Sequence, residues 1–309
     1  MLFHLEPLRF SFVANESIRF ARGESSNILR GAFGTIFRRL ACLPQCPDAK
    51  TCDCRANCPY ARLFEPAAIR PGPSGLADWP RPFVFRATHL DGQTFAPGQP
   101  FHFDLNLFDT QSPVIAYLAL TFAQLARDGL GPGRRKVELA TVSRLDEHGE
   151  PGPLVYQNGS IKAQDNIPRL ALDLNPNGAP VSRLLVRFVT PTELKSGRQI
   201  APRPEFGILA ARLRDRIGTL RELYGDGPLD IDFREFGQRA ELIKMTRCDI
   251  ASVDIQRRSS RTGQIHSIGG FVGEAEYEGD LGEFLPYLRV AKWTGVGRQT
   301  VWGKGEIAV

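Results

Sequence analysis

The feature of the sequence that most restricts the possible folds is the order in which strand-like and helix-like segments follow one another. In each half, a strand-like segment that alternates apolar and polar residues precedes a helix-like segment, two more strand-like segments, a second helix-like segment and a last strand. The strand-like segments are 3–13, 83–87, 101–108, 137–145, 183–189, 248–256, 271–277 and the C-terminal residues. The helix-like segments are 25–40, 114–125, 205–223, continued at 235–244, and 281–290. This order, found twice, is typical of ferredoxin-like domains.

We therefore predict an α+β fold of two tandem ferredoxin-like (RRM-like, βαββαβ) domains with antiparallel sheets. The predicted domains are 1–165, which includes a cysteine-rich loop at 42–58, and 180–309, which includes a glycine-rich loop at 295–305. A length of 309 residues agrees with about two domains. Residues 146–182 are polar and rich in Gly, Pro and Asn, which predicts a linker and turns.

Composition excludes some classes of protein. No apolar run approaches the roughly 20 residues of a membrane span, so we expect no membrane association. The first residues lack a basic segment followed by an apolar core, and we expect a cytoplasmic protein.

The basic residues are mostly arginine. Of the 39 basic residues seven are Lys, which leaves 32 Arg, and the net charge is +5. Arg binds phosphate through a planar fork and stacks on bases, although base composition of the genome can also favour Arg. Two basic clusters are the predicted nucleic-acid contacts: Arg134, Arg135 and Lys136, and Arg257, Arg258 and Arg261.

The glycine-rich loop 295–305 has bare backbone N–H groups beside two cations, a combination that suits a phosphate. A helix C-cap followed by a bulged hairpin is the alternative. The first half has a related turn at Gly129-Leu130-Gly131 and Arg134, which makes the loop a recurring position. The predicted phosphate-binding residues of the loop are Gly295, Gly297, Arg298, Gly303, Lys304 and Gly305.

Five cysteines lie within seventeen residues, at Cys42, Cys46, Cys52, Cys54 and Cys58. Disulfides are disfavoured in a cytoplasmic protein, and four thiolates around Zn²⁺ would order a loop that has no core of its own. We predict a structural zinc held by four of the five. An iron–sulfur cluster and a reduced loop without metal remain alternatives. In the preceding helix, Gly31 and Gly34 predict the close approach of another element.

Three segments of the C-terminal half resemble a known signature: 269–277, 285–288 and 295–305. They are similar to the C-terminal region of the CRISPR-associated family that processes precursor crRNA, the sixth Cas family within the RAMP superfamily. The N-terminal segments 29–34 and 58–66, on either side of the cysteine loop, resemble one branch of that family. The resemblance is weak over about 90–250.

The resemblance implies tandem ferredoxin-like domains that bind CRISPR repeat RNA. It also implies metal-independent cleavage by the 2′-hydroxyl, which leaves a 2′,3′-cyclic phosphate, and no cofactor for catalysis. Other Cas effector subunits are possible partners. A crRNA-binding RAMP subunit that does not cut is the alternative function.

Many family members have a catalytic His in or after the first helix, but this chain has none between His4 and His89. The predicted catalytic residues are therefore Arg30 and Lys50, by position, and His266, which follows the second basic cluster. Arg38 and Arg39 also lie at suitable positions. An Arg is a poor base but can stabilise a phosphorane.

Overall fold

A computed structural model describes residues 1–42, 45–46, 48–66, 79–109, 114–162, 168–176, 178, 180–258 and 265–309. Contacts divide the chain into two units. The N-terminal unit comprises His4–Leu170 and Leu223–Gly225, and the C-terminal unit comprises Met1–Phe3, Ala171–Glu222 and Asp226–Val309. Among the described residues, every helix is too short or too polar to cross a membrane.

The N-terminal unit is built on one antiparallel sheet. Its helices are α1 (Ser25–Ala41), α2 (Pro59–Phe64) and α3 (Val114–Asp128). Its strands are β1 (Leu2–Ala14), β2 (Ile18–Arg19), β3 (Phe83–Arg86), β4 (Thr94–Phe95), β5 (Pro100–Leu107), β6 (Val137–Leu145), β7 (Pro151–Gln157) and β8 (Ser160–Ile161). The sheet order is β3-β5-β1-β6-β7-β8, and its first four strands have the ferredoxin-like arrangement.

Phenylalanines fill the core between this sheet and its helices. Phe33 of α1 stacks on Phe122 of α3, with ring centroids 5.2 Å apart and planes at 15°. Phe10 of β1 stacks on Phe103 of β5 at 5.2 Å. All four rings are fully buried. Rings in such contacts add about 0.5–1.5 kcal/mol per pair to the stabilisation from burial alone.

The C-terminal unit repeats the arrangement. Its helices are α4 (Phe206–Tyr224), α5 (Phe233–Glu241) and α6 (Leu285–Thr294), where the last two residues of α4 count with the other unit. Its strands are β9 (Leu170–Asp173), β10 (Arg183–Thr192), β11 (Lys195–Ser196), β12 (Gln199–Ile200), β13 (Lys244–Val253), β14 (Gln256–Arg258), β15 (Ile265–Ser267), β16 (Gly270–Glu278) and β17 (Ile307–Ala308). The antiparallel sheet order β13-β16-β10-β17 is again ferredoxin-like, so the predicted fold class is confirmed.

Two local predictions were wrong. Within 146–182, predicted as linker and turns, β7 pairs with β6 and buries Val155 and Tyr156. The sequence did not indicate this strand, because it begins with Pro, Gly and Pro and its first four residues are exposed, so that only its end contacts the core. The sequence also predicts Ser25 or Ser26 as the N-cap of α1, but the N-cap residue is Glu24 and no side-chain hydrogen bond caps the helix there. Instead, Asp91 accepts hydrogen bonds from the backbone N–H of Ser25 (3.1 Å) and from its hydroxyl (2.5 Å).

Candidate functional site

Helices α1 and α2 pack closely in the N-terminal unit, because α1 has a glycine where they meet. A Cβ atom added at Gly34 would lie 3.0 Å from Cε1 of Phe64, so the predicted approach of another element is confirmed there. At Gly31 such an atom would meet nothing within 4 Å. A bidentate ion pair also holds α2, since Arg62 donates to the fully buried Asp109.

Two arginines of α1 lie over the aromatic side chains of α2. The Arg30 guanidinium is 5.5 Å from the ring centroid of Phe64, and that of Arg38 is 5.8 Å from that of Tyr60. The two rings stack on each other at 5.2 Å with planes at 10°. Cations in this position are attracted by the ring faces, and the contact orders both guanidinium groups. Arg30 and Arg38 therefore form, with Tyr60 and Phe64, a cluster that we call the α1–α2 cluster.

Tyr60 provides the titratable hydroxyl of this cluster. Its Oη lies 3.4 Å from Oε1 of Glu65. Burial raises the pKa of Tyr60, and the Glu65 carboxylate raises it further, while Arg38 and Arg30 act in the opposite direction. The phenol is therefore protonated at neutral pH and can donate a hydrogen bond or a proton. Sequence reasoning missed Tyr60, although it belongs to the segment that carried the family resemblance.

The three predicted catalytic residues lie on different elements. Arg30 is half-buried on α1, whereas Lys50 is exposed in a turn where its backbone N–H donates to Asp48 at 2.7 Å. His266 belongs to the C-terminal unit, in β15, where its backbone pairs with Arg257 of β14. The predicted RNA contacts Arg257 and Arg258 lie in β14, and Arg261 lies outside the described residues.

The described residues of the cysteine loop do not support the predicted zinc site. Within the described part of the chain, no three or more His, Cys, Asp or Glu side chains are arranged to hold a metal ion. Cys42 follows α1, Cys58 precedes α2 and Cys54 is exposed, while Cys42 neighbours Cys46 and Cys58, and Cys46 neighbours Cys52. Burial, followed by the neighbouring Cys58, raises the pKa of the Cys42 thiol to about 12.

The glycine-rich loop after α6 packs closely against the end of β10 and the residues that follow it. Its backbone donates from Val296 to Gly305 O at 2.8 Å, from Arg298 to Glu193 O at 3.1 Å and from Gly305 to Pro191 O at 3.0 Å. A Cβ atom would lie 2.3 Å from Glu193 O at Gly297, and 1.9 Å from Val296 O at Gly305. The glycines are therefore required by close backbone contacts inside the protein, whatever the loop binds.

The two cations of this loop are differently placed. Arg298 forms an ion pair with Glu193 while half of its side chain stays exposed. Lys304 is buried, with 6% of its surface exposed. Gln299 donates from Nε2 to the carbonyl of Ser267 at 2.8 Å, which joins the loop to the hairpin of β14 and β15. Arg298 is thus the loop cation that an external phosphate can reach.

The related turn in the N-terminal unit is open to solvent. Leu130 and Arg135 exchange backbone hydrogen bonds of 2.8 and 3.0 Å, and Arg134 has a positive φ of 48° between them. Arg134 and Arg135 are exposed. Lys136 donates from Nζ to the carbonyls of Arg127 (2.7 Å) and Asp128 (3.3 Å) at the end of α3. The turn therefore presents the side chains of Arg134 and Arg135 to solvent, whereas Lys136 binds the last carbonyls of α3.

Comparison with known proteins identifies both parts of the chain. Residues 186–307 match the family model of CRISPR-associated endoribonuclease Cas6, and residues 3–167 match a family model described as an N-terminal domain. No curated protein matches the sequence.

Among solved structures, similarity extends over the whole chain. A Cas6 product complex has a TM-score of 0.57 at 17% identity and covers 98% of this chain and 99% of its own. Thermus thermophilus Cas6 has a TM-score of 0.54 at 15% identity, with 99% of this chain and 98% of its own covered. A partial Cas6-RT-Cas1–Cas2 complex reaches 0.55 at 12% identity and covers 99% of this chain and 45% of its own. At these identities the similarity shows a shared fold.

Proposed function

The chain belongs to the CRISPR-associated endoribonuclease Cas6 family, and on that premise we propose that it binds CRISPR repeat RNA and cleaves precursor crRNA within the repeat. Similar structures include a Cas6 product complex and an assembly of Cas6 with Cas1 and Cas2, which supports crRNA and other Cas proteins as its partners. The α1–α2 cluster is the observation that carries the assignment of a cleavage site.

The proposed chemistry is attack of the 2′-hydroxyl on the adjacent phosphorus, without a metal ion. The 2′-oxygen forms a bond to phosphorus and loses its proton, while the bond to the 5′-oxygen breaks and that oxygen gains a proton. The products are a 2′,3′-cyclic phosphate and a 5′-hydroxyl. Because the nucleophile is already next to the phosphorus, alignment of the backbone lowers much of the barrier.

The α1–α2 cluster offers two of the groups that this reaction requires. Arg30 and Arg38 carry guanidinium groups, which can stabilise the negative charge of the phosphorane. Tyr60 stays protonated and can donate to the leaving 5′-oxygen. We propose Arg30 as the residue that stabilises charge and Tyr60 as the acid. Lys50 and His266 remain candidates for the base.

Exposed cations elsewhere supply the proposed RNA contacts. Arg134 and Arg135 are exposed on a turn whose backbone is closed by its own hydrogen bonds, so both side chains are available to phosphate. Arg298 is half-exposed beside the β14–β15 hairpin, which contributes Arg257 and Arg258. Side chains cannot read the deep major groove of A-form RNA, so sequence must be read from unpaired bases.

The test is cleavage of the repeat RNA of the protein's own locus in the presence of EDTA, with both product ends mapped. A single cut with a cyclic phosphate is expected. Arg30→Ala and Tyr60→Phe should lower the single-turnover rate about 100-fold while RNA affinity changes little. Arg19→Ala is the control, because Arg19 is an exposed arginine of β2 outside the α1–α2 cluster.

Wild-type rates in both Arg30→Ala and Tyr60→Phe would contradict the assigned site. Lys50→Ala and His266→Ala, measured in the same way, then show which remaining candidate acts. Tight binding of repeat RNA that stays intact would instead support the non-catalytic crRNA-binding subunit.

A further inference from the structure

A surface pocket of about 350 Å³ lies in the C-terminal unit, away from the glycine-rich loop in sequence. The β11–β12 hairpin, the first turns of α4 and the end of α5 form its walls. Its volume lies at the lower end of the range for small-molecule sites, about 300–1,000 Å³, which suits a single nucleotide.

The pocket has an apolar side. Ile208 and Ala211 of α4 line it together with Ile243, which follows α5. Next to them in the chain, Leu242 leaves 75% of its surface exposed, and Ile200 of the β11–β12 hairpin leaves 55% exposed. Such a surface suits the flat apolar face of a base.

The polar groups of the pocket are of two kinds. Lys195 and Arg212 provide positive charge, and Glu205 and Glu241 provide carboxylates. Among the described residues, the buried Nε of Arg212 has no hydrogen-bond partner, although its Nη2 pairs with Asp215 at 2.9 Å. The Arg212 side chain leaves 36% of its surface exposed, so its guanidinium can also meet a phosphate oxygen.

One glycine keeps the pocket open where α4 meets α5. A Cβ atom at Gly207 would lie 3.2 Å from Cγ of Glu241, which is tighter than ordinary contact. The absence of that atom lets the Glu241 side chain lie against α4 at the edge of the pocket. The carboxylate is thereby placed on the wall that also carries Ile208 and Ala211.

We propose that this pocket holds one unpaired nucleotide of bound RNA, an inference that rests on the proposed RNA-binding function. The base lies against Ile208, Ala211 and Ile243, and the phosphate lies at Lys195 and Arg212. Carboxylates only accept hydrogen bonds at neutral pH, so Glu205 and Glu241 favour a base with an exocyclic amino group. Adenine and cytosine carry such a group, and uracil does not.

The experiment measures binding of short single-stranded oligonucleotides of adenosine, cytidine or uridine, all of one length and at one salt concentration. It needs neither a repeat sequence nor cleavage, so it separates failure of the pocket from failure of the proposed nuclease. The wild type should bind the adenosine and cytidine oligonucleotides about ten-fold more tightly than the uridine one.

Two variants test the pocket in different ways. Ala211→Phe fills it and Glu241→Gln replaces an acceptor, so both should reduce the preference to less than two-fold. The controls are Ala211→Ser, which leaves the pocket open, and Glu222→Gln, an exposed position on the same helix. Both controls should keep the ten-fold preference.

Equal affinity of the wild type for all three oligonucleotides would overturn the proposal and leave a protein partner as the occupant of the pocket. A preference that survives both Ala211→Phe and Glu241→Gln would overturn it as well. Should Ala211→Phe fail to fold, the near-isosteric Glu241→Gln alone decides the outcome.

Discussion

The two glycine turns of this chain begin alike in sequence and differ in structure. Both follow the last helix of their unit with Gly-x-Gly and an Arg. After α3, the turn closes on itself and leaves Arg134 and Arg135 exposed. After α6, the loop donates hydrogen bonds to the end of β10 and to the residues that follow it, and it buries Lys304. Glycine and a cation therefore do not by themselves define a phosphate site, because the surrounding backbone decides which groups are free.

The largest difference expected concerns glycine replacement. Gly305→Ala places a methyl group 1.9 Å from a carbonyl oxygen at a φ of 69°, so the free energy of unfolding should fall by about 3 kcal/mol or more. Gly133→Ala in the exposed turn, where the nearest atom is the flexible Arg135 side chain at 3.3 Å, should cost about 1 kcal/mol. Urea denaturation measures both, with Gly98→Ala, which meets nothing within 4 Å, as the control. Equal losses of unfolding free energy in Gly305→Ala and Gly133→Ala would show that the glycine-rich loop is packed no more tightly than the exposed turn.

The next effect concerns RNA affinity. Replacing Arg134 and Arg135 together by Ala should weaken repeat-RNA binding about ten-fold or more and reduce the salt dependence by roughly one to two phosphate contacts. Arg298→Ala should weaken binding less, since Glu193 already neutralises part of its charge. Titrations at several salt concentrations provide both values. If Arg298→Ala lost more RNA affinity than the double variant, the main phosphate contact would lie in the glycine-rich loop and not in the turn after α3.

A smaller effect should separate Lys136 from its two neighbours. Lys136→Met removes a cation that binds the last carbonyls of α3, which should lower the free energy of unfolding by about 0.5–1 kcal/mol. The loss of RNA affinity should stay below that of the Arg134 and Arg135 double variant. Denaturation and RNA titration of the same preparation test this pair of results. Unchanged stability with a ten-fold loss of affinity would make Lys136 a phosphate contact.

The smallest effect expected is a pH dependence of the N-terminal unit. Burial lowers the pKa of His102, and the nearby Arg9 and His89, which stacks on it at 4.5 Å, lower it further against the opposing Asp104. The unfolded chain therefore takes up a proton first as pH falls, and stability present above pH about 6.5 is lost below it. His102→Gln should make the denaturation midpoint depend less on pH between neutral and mildly acidic conditions. His148→Gln, at an exposed histidine of the same unit, is the control.

Local patterns were sufficient for the elements that bury one face. The helical spacing of Leu29, Phe33 and Phe37 predicted α1, and all three are fully buried. Strand β7 was missed because its hydrogen bonds to β6, and not its own apolar residues, make it a strand. Zinc was predicted from the density of cysteines, but density in sequence does not determine the geometry that a metal requires, and the described residues contain no group arranged to hold a metal ion.

By itself, the sequence determined the tandem ferredoxin-like order and the family, because both depend on periodicities and motifs that are local in the chain. Only the tertiary structure decided which groups are available. It placed Arg30 and Arg38 over Phe64 and Tyr60, because Gly34 lets α2 approach α1. It also fixed the glycine-rich loop against the end of β10, since the N–H groups of Arg298 and Gly305 bond carbonyls that lie more than a hundred residues earlier in the chain. Contacts between residues so far apart in the chain cannot be read from spacing.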